Sequence, residues 1–304
     1  MKKLLQYSCL LFCAGTASVQ ADEKSTDWHF NVGAMYEIEN IEGQADDEDG
    51  LYEPSVYFNA AWGDWSIALT MYQEGPANYS NFTRGTYFNR PEMNIRYQFF
   101  DNDMGTFGFT TGIRNYGYHF KDDHGANAGT ANTVRYGFIP DYQIKFNDSL
   151  SFGGWFAYYR FDHDLDETGY SDSRVETETG MTWVINETFS LKANYYLERG
   201  FNIESDKNNG EFSTQETRIY LPISMGTNTF TPYTRIGLDR WTNWDWSEDL
   251  EREDHNYDRL GLLYAHDFEN GLSMTLEYAY EWEDHNEGDS DRFHYAGVGV
   301  NYSF

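Results

Sequence analysis

Cysteine is nearly absent. The 304 residues hold two, Cys9 and Cys13, and both lie in the first 21 positions. That opening stretch has the form of a secretory signal: Lys2 and Lys3, an apolar run from Leu4 to Ala14, then small residues up to Ala21 before Asp22. Phe12 is too bulky for a lipoprotein site at Cys13. The expected domains are therefore a cleaved signal over 1–21 and a single exported domain over 22–304, stabilised by something other than disulfides. Proline is scarce too, with six residues and no proline- or serine-rich linker, and no internal repeat divides the chain. Long apolar runs are missing: mean hydropathy is −0.72, and no mature segment reaches the length of a transmembrane helix. Basic residues are few. Without Lys2 and Lys3, 19 of the 21 remain against 50 acidic residues, a net charge near −31. Such a field repels nucleic acid and anionic surfaces. Aromatic residues, at 18%, are far too abundant for the disorder that acidity alone would suggest. An exported, acidic, aromatic-rich chain without long apolar runs leaves one way to enter a membrane, a β-barrel whose strands conceal their hydrophobicity by alternation.

Alternation is what the chain has in abundance. In its last stretch, Ala296, Val298, Val300, Tyr302 and Phe304 fall on one face and Gly297, Gly299, Asn301 and Ser303 on the other, the period of a strand. Its edges would invite aggregation unless it pairs with the first strand and closes a barrel. Fourteen segments alternate in this way, each near the roughly 9–11 residues of a tilted membrane-crossing strand. They begin with Trp28 to Glu39 and include Arg90 to Phe99, Arg174 to Ile185, Ser213 to Ile223, Thr229 to Asp239, His255 to Asp267 and Leu272 to Glu283. Short connections such as Gly63-Asp64, Phe146 to Ser149 and Phe268 to Gly271 alternate with long acidic ones. The long ones include Ile41 to Gly50, Lys121 to Ala131, Asp162 to Ser173, Gly200 to Gly210, Trp241 to Asp254 and Asp284 to Asp291. The fold expected is all-β: a transmembrane antiparallel barrel of 14 strands with short periplasmic turns and seven long acidic outer loops.

The polar faces of the strands carry charge of both signs. Arg90, Arg114, Arg135, Arg174, Lys192, Arg218, Arg235 and Arg259 fall there, as do Glu37, Glu39, Glu53, Glu74, Glu92, Glu176, Glu178, Glu198 and Asp239. A charge facing lipid at the bilayer centre costs about 2–4 kcal/mol, so these residues should line a wet interior. Fourteen strands also make a barrel too wide for side chains to fill, which predicts a pore. Its charges nearly balance, predicting weak selectivity.

Several stretches carry a resemblance: DWHFNVGAMYEIEN, EPSVYFNAA, RNYGYH, RVETETG, NYYLERGFN, NNGEFSTQE, TPYTRIGLDRWTNWDW, EREDH and HYAGVGVNYSF. Across essentially the whole mature chain they resemble the porin G family, monomeric fourteen-stranded general porins of the enteric outer membrane. The resemblance implies a monomer and a passive, weakly selective channel for ions, sugars and oligosaccharides. It implies a bilayer and lipopolysaccharide as surroundings, no cofactor and no catalysis. It also implies that Lys192 replaces an arginine. It further implies a gate in the sixth outer loop, here about 241–254, with Trp241, Trp244, Asp245, Trp246, Glu248, Asp249, Glu251 and Arg252, flanked by His255 and His285.

That histidine pair has a physical reading of its own. The two begin and end adjacent segments of one hairpin, so counting from the turn at 268–271 puts them at similar height. Histidine's ordinary pKa of about 6.5 leaves both mostly neutral at neutral pH and charged in acid. Two cations about 5 Å apart repel by roughly 1–3 kcal/mol in a partly solvated setting, enough to loosen the hairpin end. The rival readings are an outer-membrane enzyme, using His119, His124 or His163 near Asp122, Asp123 or Asp162, and a filled barrel that displays recognition loops. No nucleophile motif supports the first. The acidic runs Asp46-Asp47-Glu48-Asp49 and Glu287 to Asp291 follow no calcium-loop spacing, and no metal site is expected.

Overall fold

A computed structural model describes residues 27–41, 51–76, 87–121, 126–164, 170–204, 209–242, 253–268, 270–285 and 290–304. All the regular elements among them are strands: β1 His29–Ile41, β2 Leu51–Trp62, β3 Trp65–Pro76, β4 Tyr87–Asn102, β5 Gly105–Lys121, β6 Asn127–Lys145, β7 Leu150–His163, β8 Tyr170–Val184, β9 Ser190–Glu204, β10 Asn209–Tyr220, β11 Ile223–Met225, β12 Asn228–Thr242, β13 Glu253–Asp267, β14 Leu272–His285 and β15 Asp291–Ser303. Each pairs antiparallel with its neighbours in chain order. β10 and β11 are two parts of one staircase, separated by Leu221 and Pro222 and both paired with β12. The tenth segment was expected to be continuous. Proline has no N–H for the ladder, yet flanking bonds carry the pairing across the break: Leu221 N–H to Pro232 at 3.0 Å and Ser190 N–H to the Pro222 carbonyl at 3.1 Å. The barrel therefore has fourteen staves.

Closure lies where the final stretch predicted it. β1 pairs with β15 from Asn31 opposite Ser303 to Ile41 opposite Phe293. Beyond the ladder, Phe30 and Phe304 exchange two 2.9 Å backbone bonds. A closed barrel satisfies every strand edge, as a lipid-facing sheet requires. At the turn between β2 and β3, Gly63 adopts φ 56°, and Gly226 adopts φ 62° between β11 and β12. Those left-handed conformations suit tight hairpins.

The outer face carries an apolar band that includes Val56, Leu69, Phe138, Leu260, Leu262 and Val300, all exposed. At the short-turn end a belt of rings follows, among them Trp28, Trp62, Trp65, Phe146, Trp183 and Phe304. This is the inverse of a water-soluble protein and matches a bilayer with an aromatic interface girdle.

At the other end the strands run further than expected. Much of the stretches Lys121 to Ala131, Asp162 to Ser173 and Gly200 to Gly210 is ladder, since β6 starts at Asn127, β8 at Tyr170 and β10 at Asn209, while β9 runs to Glu204. These strand ends rise beyond the apolar band, where both faces are polar and composition resembles that of a loop. The remaining connections, including 42–50, 77–86, 243–252 and 286–289, lie outside the described residues, as does the predicted signal over 1–21.

Inside, the two halves of the wall differ in bulk. Near the short turns the interior positions are small, with Gly33, Ala68, Gly108, Gly153, Gly180 and Gly261 among them. Higher up come charged and aromatic side chains. Several rings lie flat against a glycine directly across the ladder: Tyr57 opposite Gly33, Tyr159 opposite Gly137, Phe212 opposite Gly200 and Tyr233 opposite Gly261. A Cβ built on Gly33 or Gly261 would come within 2.3 Å of the facing ring. The missing side chain is what lets the ring lie down.

Candidate functional site

Most of the charges on the polar strand faces do not stand free in water. Glu37, Glu39, Glu53, Glu74, Arg90, Glu92, Arg114, Arg135, Arg174, Glu176, Glu198, Arg218, Arg235 and Arg259 are all buried. They lie along the wall, covered by one another and by rings. Glu92 of β4 accepts from Arg114 at 2.6 Å and from Arg135 at 3.0 Å, which reconciles two arginines that sit directly opposite each other on β5 and β6. Arg218 bonds Glu178 at 2.7 Å and Glu216 at 2.8 Å. Arg259 reaches Glu281 at 3.5 Å and Glu277 at 3.8 Å.

Guanidinium groups also lie over rings. Arg90 sits 3.7 Å from the Tyr72 centroid, Arg174 3.9 Å from Phe161 and Arg218 3.6 Å from Tyr196. Arginine's planar, weakly hydrated cation is suited to that role. Tyrosine hydroxyls serve the carboxylates: Tyr257 donates to Glu281 at 2.6 Å, Tyr196 to Glu176 at 2.8 Å, Tyr72 to Glu74 at 3.0 Å, and Tyr295 to Glu37.

The two signs are also sorted around the barrel. On the five adjacent strands β14, β15, β1, β2 and β3 the described interior face carries Glu277, Glu281, Glu283, Glu37, Glu39, Glu53 and Glu74, with no arginine or lysine. The arginines occupy β4 to β6, β8, β10, β12 and β13.

One assignment needs correcting. Asp239 does not follow the interior alternation of Arg235, because β12 carries an extra residue. Gln215 lies opposite Asp239, but Glu216 lies opposite Gly237. This bulge reverses the faces beyond it. Asp239 shares the outward side with Gln215, whose amide donates to it at 3.0 Å, and Arg240 turns inward to meet Glu283 at 3.3 Å. Lys192 keeps interior parity but is exposed, in the roomier half near the short turns. Asp172, Glu216, Arg240, Glu277, Glu281 and Glu283 are further interior charges. Glu216, Glu277, Glu281 and Glu283 share interior parity within segments already drawn from the sequence, and a short extension of the Arg174 segment reaches Asp172; only Arg240 escapes the alternation.

Among the gate residues, His255 and His285 lie directly opposite each other in the β13–β14 ladder. Trp241 and Thr242 pair with Asp254 and Glu253 at the end of β12, so both ends of the connection are anchored beside them. Trp244, Asp245, Trp246, Glu248, Asp249, Glu251 and Arg252 lie outside the described residues.

The enzyme reading had placed His163 near Asp162, but the structure joins it to other residues. Its Nδ1 is 2.8 Å from the Thr133 hydroxyl, and its Nε2 is 3.1 Å from Asp172, which Arg174 also holds. Thr133 is 1% exposed, so the array is a buried tie across β6, β7 and β8 with no access for a substrate. His119 stacks on Tyr87 at 4.7 Å. His124, Asp122 and Asp123 lie outside the described residues.

Comparison with known proteins agrees with this geometry. The chain is 61% identical to Outer membrane porin G of Escherichia coli (strain K12) over 304 residues, covering all of both chains. Among solved structures it is similar to the CymD monoaromatic hydrocarbon channel, with a TM-score of 0.59 at 9% identity over 90% of this chain and 88% of that one. It is also similar to the Pseudomonas putida toluene transporter TodX, with a TM-score of 0.56 at 10% identity over 95% and 93%. At such identities those two likenesses concern the fold alone. The profile of the family Outer membrane protein G (OmpG) matches residues 25–302. The chain therefore belongs to the OmpG family, a porin whose closed β-barrel sits in the bacterial outer membrane.

Proposed function

We propose that this porin is a monomeric, weakly selective channel for passive diffusion of ions, sugars and oligosaccharides, exported by a signal over 1–21 and closed in acid by the connection at about 241–254. It has no catalytic role and needs no cofactor or metal. Lipopolysaccharide surrounds its outer rim. The channel reading is supported by a wall that turns apolar residues outward and charges of both signs inward. The gate is supported by one observation above all, the direct opposition of His255 and His285 next to the anchored ends of that connection. Opposed residues on antiparallel strands have Cβ atoms about 4.5–5.5 Å apart, so two protonated imidazoles there repel, while two neutral ones do not. The hairpin end is therefore stable at neutral pH and strained as pH falls through the histidine range near 6.5. Release of that end frees the connection to fold over the mouth.

Single-channel recording of the refolded mature protein in a planar bilayer tests both parts. A large one-step conductance near pH 7 that falls silent near pH 5 is expected. The His255→Ala/His285→Ala double variant should stay open at both. Acid closure that survives the double substitution removes the histidines from the mechanism, and absence of any conductance removes the channel.

A further inference from the structure

Three arginines stand shoulder to shoulder at one height of the inner wall. Arg218 of β10 lies directly opposite Arg235 of β12, which lies directly opposite Arg259 of β13. Like charges in such positions destabilise a sheet unless something lies between them. The outer two are provided for, Arg218 by Glu178 and Glu216, and Arg259 by Glu277 and Glu281. Arg240, above them, meets Glu283.

Arg235 is different. It is 3% exposed and pairs with no carboxylate among the described residues. Its Nε and Nη2 are both buried and find no acceptor among the described residues. Arg235 lines a small cleft in the wall together with Arg218, Arg240, Thr214, Glu198, Glu216 and the rings of Tyr196 and Tyr257. The hydroxyl of Thr214, which also lines that cleft, is likewise buried and has no partner among the described residues. The carboxylates there are engaged elsewhere, Glu216 with Arg218 and Glu198 with the Tyr196 hydroxyl at 3.3 Å.

An uncompensated buried guanidinium is among the costliest groups a fold can hold, and two unpartnered donors on residues lining one cleft call for an acceptor. We infer that this cleft binds a small monovalent inorganic anion of the halide class, held by Arg235 and Thr214. Chloride suits it on three counts. It accepts hydrogen bonds without donating any, and the Arg235 guanidinium can only donate, while the Thr214 hydroxyl can turn its proton toward the same acceptor. It carries one charge, matching the single cation on the cleft that lacks a carboxylate. It is close to a water molecule in size, and the cleft has room for a body of about that size. A phosphate would be too large and would bring excess charge toward Glu198 and Glu216. Tyr257 of β13 also borders the cleft, but neither His255 nor His285 does, and the inference does not depend on the gate.

Bromide is the probe that settles it. Crystals of the mature protein grown in bromide, with data collected at the bromine edge, should show an anomalous peak between Arg235 and Thr214. Arg235→Gln should reduce that peak to noise. A peak that persists in the variant marks an adventitious ion only, and an ordinary water without anomalous signal in the wild type overturns the inference outright. If the variant fails to fold, the wild-type map decides alone. In solution, raising chloride about thirtyfold against gluconate at fixed ionic strength should lift the wild-type Tm by roughly a few degrees, by mass action on the folded state. Equal stability in the two salts would also overturn it.

Discussion

The two sides of the inner wall solve opposite electrostatic problems. From β4 round to β13, arginines are embedded among carboxylates, so that Glu92 serves two guanidinium groups and Arg218 two glutamates. From β14 round to β3, seven glutamates share a face with no base of their own. There the counter-groups are tyrosine hydroxyls and, from neighbouring strands at the boundaries, Arg240, Arg259 and Arg90. Glu37 and Glu53 even lie directly opposite each other, an arrangement that costs stability. The arginine side is thus held together by its charges, whereas the acidic side is held together despite them. The same substitution should act with opposite sign on the two sides.

The largest effect is expected at Glu92. Glu92→Leu strands Arg114 and Arg135 in a buried position and should lower the unfolding free energy by about 3–5 kcal/mol, read from thermal or denaturant unfolding of the detergent-solubilised barrel. A loss below about 1 kcal/mol would mean that water reaches those guanidinium groups freely. On the acidic side, Tyr295→Phe removes the hydroxyl that Glu37 accepts from and should cost about 1.5–3 kcal/mol. The ring remains, so the packing of Arg259, whose guanidinium lies 4.3 Å from its centroid, is preserved. The smallest effect is the sharpest test of the contrast. Glu53→Gln relieves the repulsion with Glu37 and keeps an acceptor on the side chain, so stability at neutral pH should rise by up to about 1 kcal/mol. A decrease of similar size would show that the acidic face is neutralised in some other way, and the comparison would fail.

Much of this architecture is written in the alternation. A membrane barrel exposes its apolar side chains and hides its polar ones, so period-two patterning survives in a chain of low mean hydropathy. It is clearest where the wall touches lipid, as in Val298 and Val300 of β15. Above the lipid both faces turn polar and the signal fades. Asn127 to Thr133 reads as a loop yet forms strand, and Asp172 sits in a stretch expected to be connection while closing the tie to His163. The bulge of β12 was invisible for another reason. Nothing in Gly237-Leu238-Asp239-Arg240 marks the extra residue; it is a property of two strands in register, and it exchanged the roles of Asp239 and Arg240. The histidine pair was legible because it depends only on counting back from a short turn. The cleft at Arg235 was not, because it depends on which neighbouring carboxylates are already engaged.

The flattened rings carry a consequence for how the passage is kept open. Tyr57 and Tyr233 lie against the wall because Gly33 and Gly261 have no side chain beneath them. A single methyl group at either glycine would act as a wedge, tipping the ring toward the axis. Clearance at that height is therefore governed from the strand opposite the one that bears the obstacle. A survey of bulky side chains would credit the tyrosines with setting the bore, when the controlling positions are those where nothing projects at all.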